Sequence, residues 1–164
     1  MFDFHKYIET FNSGDDRAMV DGFWEDDLEV WSAQSGQAQL LASDKESWLK
    51  FLDFAHNGVR EIMRVQVLIQ NKKNIFAEID MDFHASKARP DYPFGRLEPG
   101  DFFTVKMFCL YFLRGGRIAK LKMASWAPNT GVSDPPTRGF GPPPPIVGKT
   151  RKTFSSRIPA ALVG

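Results

Sequence analysis

The chain has 164 residues, a length that suits one domain with a single buried core. Apolar residues make up 43% of it and fifteen residues are Phe, which excludes a disordered chain and predicts a partly aromatic core. The formal net charge is only +1, and no basic run is interleaved with aromatic residues. We therefore expect no nucleic-acid partner.

One cysteine, Cys109, is present, which excludes an internal disulfide and any cysteine-based metal cluster. The three histidines are scattered without metal-binding spacing, so we expect no metal and no other cofactor. Charge interrupts the first ten residues, where a signal peptide needs an apolar core, and no apolar stretch approaches the ~20 residues that span a bilayer. These features predict a cytoplasmic protein without a membrane partner.

Three segments at the start of the chain place apolar residues at helical spacing, namely 3–13, 15–24 and 43–58. Polar capping residues precede each segment, and glycine follows the first and ends the third. A short strand is predicted at 28–31, between the second and third helices. The N-terminal part of the chain is therefore expected to be mainly helical.

The hydrophobic period then changes from helical to two, which is typical of strands. The predicted strands are 63–70, 74–84, 102–114 and 117–126. An Asn-Lys-Lys-Asn link and an Arg-Gly-Gly-Arg turn predict hairpins within the first and second pairs. Helices followed by a long antiparallel sheet give an α+β order, and a strongly twisted sheet could wrap the helices around an apolar pocket.

The composition changes beyond Trp126, because the remaining segment holds eight of the eleven prolines and shows no periodicity. We divide the chain into an α+β domain, 1–127, and an extended Pro-rich tail, 128–164. Three interpretations of the tail stay open: a disordered extension, a segment that docks on a partner, and a strap over the pocket of its own or a neighbouring subunit.

Three phrases carry a resemblance: KYIETFNSGDDRAMVDGFWEDDLEVW near the start, a Pro-Gly loop between the long strands, and GRIAKLKMASW at the end. In this order they resemble the nuclear-transport-factor-two-like superfamily of cone-shaped α+β domains, over roughly residues 3–127. Within it the chain looks most like the SnoaL-like polyketide cyclases and the ketosteroid isomerases.

The resemblance implies a cone-shaped fold in which three helices pack on a strongly curved, mainly antiparallel sheet around a deep pocket. It also implies a homodimer through the outer face of the sheet, and isomerisation, cyclisation, dehydration or epoxide opening without a cofactor. Fold alone does not fix the reaction. Tyr7 falls at the position of the oxyanion-hole tyrosine of ketosteroid isomerases, but their two acid positions fall at Ser32 and near Cys109, so steroid isomerase chemistry is not expected.

The most suggestive stretch is FAEIDMDFHAS, 76–86, in which acidic residues and a histidine alternate with apolar residues. On a strand, Asp80, Asp82 and His84 share one face with Glu78. One interpretation is an ordinary half-buried strand with a wet polar face. The other is a catalytic site in which His84, assisted by Asp82, moves a proton while Tyr111 or Tyr7 binds the developing oxyanion.

Hairpin parity bears on which face lines the pocket. A two-residue Gly115-Gly116 turn without irregularity puts Tyr111 on one face with Lys120 and Lys122. The other face then holds only apolar residues of this hairpin, among them Leu110 and Leu121, and is either the core or a buried dimer interface. If it is the interface, the mixed face lines the pocket.

The predicted catalytic residues are His84, Asp82 and Tyr111. The predicted substrate-binding residues are Tyr7, Trp31, Asp80, Lys122 and Trp126. His56, at the end of the third helix, is interpreted as a favourable charge at the helix C-terminus rather than as a catalytic group.

From these observations we expect a cofactor-independent isomerase, cyclase or lyase that acts on a hydrophobic, oxygenated small molecule of secondary metabolism. A non-catalytic small-molecule-binding or dimerisation module is the first alternative. An epoxide hydrolase is the second, and it would need Arg64, Asp80 and Asp82 within one pocket.

Overall fold

A computed structural model describes residues 1–33 and 38–125, together with the backbone of 150–151. Trp126, the boundary at 127/128 and nearly all of the predicted tail lie outside these residues. Two helices come first, two strands and a third helix follow, and the long strands come after them, so the predicted α+β organisation is confirmed. No helix in the described part of the chain is long and apolar enough to cross a membrane.

The helices are α1 (Phe4–Ser13), α2 (Asp16–Phe23) and α3 (Lys45–His56). Each begins behind an aspartate whose carboxylate accepts a backbone N–H of the first turn, at Asp3, Asp15 and Asp44. Each helix is amphipathic and turns its apolar stripe to one face of the sheet. Aromatic residues dominate the buried stripe of α1, which holds Phe4, Tyr7 and Phe11.

The strands are β1 (Trp24–Ser32), β2 (Gln39–Ala42), β3 (Val59–Gln70), β4 (Asn74–Ala85), β5 (Asp101–Arg114), β6 (Arg117–Ser125) and β7 (Thr150–Arg151). Six of them form an open sheet in the order β2-β1-β6-β5-β4-β3, and β7 pairs with β5 off this path. All pairs are antiparallel except β1 with β6 and β5 with β7. The sheet is therefore mainly antiparallel, as predicted.

The β5–β6 hairpin turns at Gly115 and Gly116, whose φ angles of 59° and 86° suit the predicted primed turn. Its register differs from the prediction. Leu113 pairs with Ile118, but the next pair is Phe112 with Lys120, so Ala119 is the extra residue of a β-bulge.

Because of the bulge, the residues of β6 that share a sheet face with Tyr111 are not the predicted ones. Tyr111 pairs with Leu121, whereas Leu110 pairs with Lys122. Directly paired residues of antiparallel strands point to the same face. We call the face that carries Tyr111 and packs on the helices the inner face, and the face that carries Leu110 the outer face.

Candidate functional site

A cavity of about 320 Å³ lies between the helices and the inner face of the sheet. This volume falls within the range of small-molecule sites. Its walls are mostly apolar and come from α1, α3, the sheet and the loop before β5. Among the apolar lining residues are Phe51, Leu52, Met63, Phe83, Met107 and Leu121.

Two polar atoms of cavity-lining residues are buried without a hydrogen bond in the described part of the chain. One is the Tyr111 hydroxyl, on a residue that is 0% exposed, and the other is Nε1 of Trp48, which is 5% exposed. A buried donor without a partner costs about 1–3 kcal/mol. Both groups therefore favour an occupant that can accept a hydrogen bond.

Tyr111 lies among weak acids. Its hydroxyl is close to the Tyr7 hydroxyl and the Cys109 thiol, although neither contact has hydrogen-bond geometry. Burial, reinforced by these neighbours, raises the pKa of Tyr111 well above its usual value. Burial likewise raises the pKa of Tyr7 and brings that of the Cys109 thiol to about 12. These groups are therefore protonated donors at neutral pH.

The structure brings together the three positions singled out by the family resemblance. Tyr7, Ser32 and Cys109 all line the cavity. Only Tyr7 matches the residue type of a ketosteroid isomerase, so the cavity lacks carboxylates at both acid positions. An acid–base reaction here needs a carboxylate from another place in the fold.

The structure corrects the expected grouping of Asp80, Asp82 and His84 with Tyr111. On β4 the three residues pair with Lys106, Thr104 and Phe102 of β5. These partners stand an even number of residues from Leu110 on the same strand, so they share its outer face. Asp80, Asp82 and His84 therefore lie on the outer face and do not line the cavity. Their catalytic role stays a prediction from sequence and forms no part of the function proposed below.

The acidic residues of the outer face are nevertheless not solvated. Asp80 is 1% and Asp82 is 6% exposed. Arg64 donates two hydrogen bonds to the Asp82 carboxylate, one of 2.6 Å from Nε and one of 2.8 Å from a terminal nitrogen. The Thr104 hydroxyl donates a third, of 2.6 Å, to the same carboxylate. Asp80 lies 3.1 Å from Lys106 Nζ and 3.7 Å from Arg64. We call this set the outer ion-pair cluster.

The outer ion-pair cluster contains the Asp–Arg–Asp set that epoxide opening was expected to need. Because Arg64, Asp80 and Asp82 meet outside the cavity, they do not meet the condition of lying within one pocket. His84 stacks on Phe102 with ring centroids 5.6 Å apart. Burial lowers the pKa of His84, which opposes a protonated imidazole there.

Two predicted substrate-binding residues also lie away from the cavity. Lys122 is on the outer face with its ammonium 5.7 Å from the centre of the Phe112 ring, because of the bulge. Trp31 pairs with Lys122 and donates its Nε1–H to Glu29 at 2.8 Å. The neighbouring Ser32 lines the cavity instead. Trp126 lies outside the described residues.

Sequence reasoning missed the one carboxylate among the described cavity-lining residues, Glu61. The predicted start of β3 at residue 63 left Glu61 off the strand. The strand begins at Val59, and Glu61 shares the inward parity of Met63. It also missed Trp48 and Tyr92, of which the second comes from the Pro-rich loop between β4 and β5.

The described residues contain no group of three or more histidine, cysteine or acidic side chains that could hold a metal ion. The expectation that the protein works without a metal or other cofactor stays a prediction.

Neither family models nor curated protein sequences match this chain. Solved structures do. A candidate polyketide cyclase from Xanthomonas campestris pv. campestris superposes with a TM-score of 0.58 at 20% identity, over 72% of this chain and 83% of that one. IdmH, a candidate polyketide cyclase from Streptomyces antibioticus, gives 0.54 at 20% identity, over 72% and 85%. An LEH-like epoxide hydrolase of M. tuberculosis gives 0.53 at 11% identity, over 73% and 76%.

The chain has the SnoaL-like, nuclear-transport-factor-two-like fold. At these identities the likeness establishes the fold alone. In this chain α1 and α3 lie over the inner face of the sheet and line the cavity described above.

Proposed function

We propose that this SnoaL-like protein is a cofactor-independent enzyme that isomerises or cyclises a hydrophobic, oxygenated small molecule by acid–base chemistry. A substrate of this kind is typical of secondary metabolism. The names of the structural neighbours, candidate polyketide cyclases among them, are consistent with this class of reaction.

The observation that carries the proposal is the pair of unpartnered donors in an apolar cavity. Tyr111 and Trp48 offer an O–H and an N–H where the surrounding walls are mostly apolar. A ligand carbonyl or phenol oxygen would satisfy them, and the hydrocarbon part of the ligand would fill the remaining volume. A purely apolar ligand would leave both donors unpaired.

The same donors can promote a reaction. When a base removes a proton from the carbon next to a carbonyl, the C–H electron pair forms a carbon–carbon double bond and the carbonyl π pair moves to oxygen. The Tyr111 hydroxyl stabilises that oxyanion more than it stabilises the ketone. Returning the proton to a different carbon isomerises the molecule, and attack of the enolate carbon on a second carbonyl closes a ring.

Proton exchange tests the proposal without knowledge of the natural substrate. The methyl ketone 2-acetylnaphthalene is incubated with the protein in D₂O, and loss of its methyl proton signal is followed by NMR. We expect exchange above the buffer rate, and a drop of about 100-fold in Tyr111→Phe, the scale for one oxyanion donor. Thr104→Val, which alters only the outer face, is the matched control and should exchange at the wild-type rate.

Two results would count against this proposal. If the ketone binds but exchanges no faster than in buffer, the small-molecule-binding module becomes the better account. If Thr104→Val slows exchange as much as Tyr111→Phe, the loss in Tyr111→Phe is not specific to the cavity and no longer supports an oxyanion donor there.

A further inference from the structure

The proposed chemistry requires a group that takes the proton, and this inference rests on that proposed function. Ser32 and Cys109 cannot supply a carboxylate, and the pKa of the Cys109 thiol, raised to about 12 by burial, keeps it protonated. Among the described cavity-lining residues, Glu61 is the one carboxylic acid. Its surroundings therefore decide what it can do.

Glu61 is held at two points. The Tyr92 hydroxyl donates a hydrogen bond of 3.1 Å to its Oε1. On the other side, Nε2 of His56 lies 3.8 Å from Oε2, beyond hydrogen-bond distance, and makes no hydrogen bond within the described part of the chain. Nδ1 of His56 is 2.7 Å from Asp16 Oδ2. The carboxylate is thus oriented, while Oε2 is attracted to the imidazole without being bound to it.

Charged groups of both signs surround Glu61 on the side of His56. Burial lowers the pKa of His56, but its contacts with Asp16 and Glu61 outweigh burial and raise the pKa to about 9. At neutral pH an imidazolium therefore stands between two carboxylates. Of the nearby cations, Arg60 donates to the carbonyls of Asn12 and Ser13, and Lys87 lies 3.4 Å from Asn57 Oδ1.

Glu61 also borders a second hollow, of about 350 Å³. His56, Arg60 and Lys87 line this hollow, which is more polar and more open than the main cavity. Glu61 is a lining residue of both spaces. A proton on Glu61 can therefore pass to solvent on the second side without crossing the apolar cavity.

We propose that Glu61 is the catalytic base and acid of the cavity, and that the ligand presents a proton-donating group to it. One carboxylate oxygen forms a bond to the departing proton as the C–H or O–H pair stays with the ligand, and the same oxygen gives the proton back at the end of the cycle. His56 and Tyr92 are positioning residues: they hold the carboxylate and tune its charge.

A matched pair of probes tests the assignment by binding alone. At neutral pH 2-naphthamidine is a cation that offers two N–H donors to a carboxylate, and 2-naphthamide is its neutral isostere. Calorimetry with wild type should show the amidine binding about tenfold or more tighter than the amide, the range for a charge-assisted hydrogen bond. In Glu61→Gln this preference should vanish while the amide affinity stays unchanged, which also shows that the variant is folded.

The possible failures are distinguishable. If the amide binds and the amidine has no advantage, or keeps it in Glu61→Gln, the assignment of Glu61 is overturned and the proposed function is not. If neither probe binds wild type, the ligand cavity itself is refuted, and both proposals fall with it.

The role of His56 has its own readout. As pH rises through about 9, the His56 imidazolium loses its proton and no longer competes with the amidine for the Glu61 carboxylate. The affinity of the amidine relative to the amide should therefore increase. The amidine stays charged over this range. The other titratable groups facing the pair are Asp16, Arg60, Lys87, Arg89 and Tyr92. His56→Gln should abolish this pH step. An unchanged step in His56→Gln, or no step in wild type, would overturn the positioning role.

Discussion

The position of His56 in the sequence explains only part of its surroundings. At the end of a helix, a histidine is readily explained by the helix dipole. In the structure its ring lies between two carboxylates, Asp16 from α2 and Glu61 from β3, which are distant in sequence. Such a contact depends on how the helices pack on the sheet, so the local sequence around His56 does not predict it.

The same residue makes folding stability depend on pH. The pKa of His56 is about 9 in the folded state against an ordinary value of 6.5, so the folded protein binds the proton more tightly. The resulting stabilisation is fully present below pH 6.5 and is lost as pH rises through 9. Between pH 7 and pH 9.5 we expect wild type to lose about 2 kcal/mol of its free energy of unfolding from this group.

Urea unfolding at the two pH values measures this loss, and His56→Gln is the comparison. The variant lacks the titrating ring, so its stability should change clearly less over the same interval. Equal losses in wild type and variant would show that other groups cause the dependence.

Tyr7 and Tyr111 were predicted as site residues for different reasons, and their roles stay predictions. Tyr7 combined an inward helical position with the family phrase, and Tyr111 was assigned to the mixed face that the hairpin parity predicted. Both line the cavity. Asp80 and Asp82 had an equally clear alternation, but alternation identifies a face without telling which face is enclosed.

At the level of elements, the type and order of most helices and strands followed from hydrophobic period and turn residues. The register of the β5–β6 hairpin did not. Ile118 and Leu121 pair with Leu113 and Tyr111 on the inner face although they stand three residues apart, which a regular strand does not allow. That spacing was the available sign of the bulge at Ala119, and missing it placed Lys122 on the wrong face.

The outer ion-pair cluster links β3, β4 and β5 on the face away from the cavity. Replacing Arg64 by Met removes the partner of two buried carboxylates, so we expect a loss of about 3–5 kcal/mol in the free energy of unfolding. Chemical denaturation measures it. Arg96→Met, which breaks the exposed pair with Glu98, is the control and should cost less than about 1 kcal/mol.

Similar small losses in both variants would contradict this account of the cluster. They would mean that water reaches Asp80 and Asp82 as freely as it reaches Glu98.

For the whole molecule, the outer face is the surface on which the predicted homodimer would form. It exposes Val67 and Ile69 to 41% and 64%, and Phe76 and Leu110 are partly exposed beside the ion-pair cluster. We expect wild type to sediment at twice the chain mass. Ile69→Lys should shift the equilibrium to the monomer, because it places an ammonium in an apolar contact.

Asp53→Lys, an exposed change on α3, is the control and should leave the dimer intact. A wild type that sediments as a monomer at micromolar concentration would remove the basis of the homodimer prediction.

The central claim is that the ligand site is the cavity on the inner face, and not the acidic strand face that attracted attention in the sequence. A crystal structure with 2-acetylnaphthalene tests it most directly. We predict the naphthalene between the helices and the sheet, with its carbonyl oxygen within about 3 Å of the Tyr111 hydroxyl or the Trp48 N–H. A ligand bound beside Asp82 and His84 on the outer face, with the cavity empty, would contradict the claim.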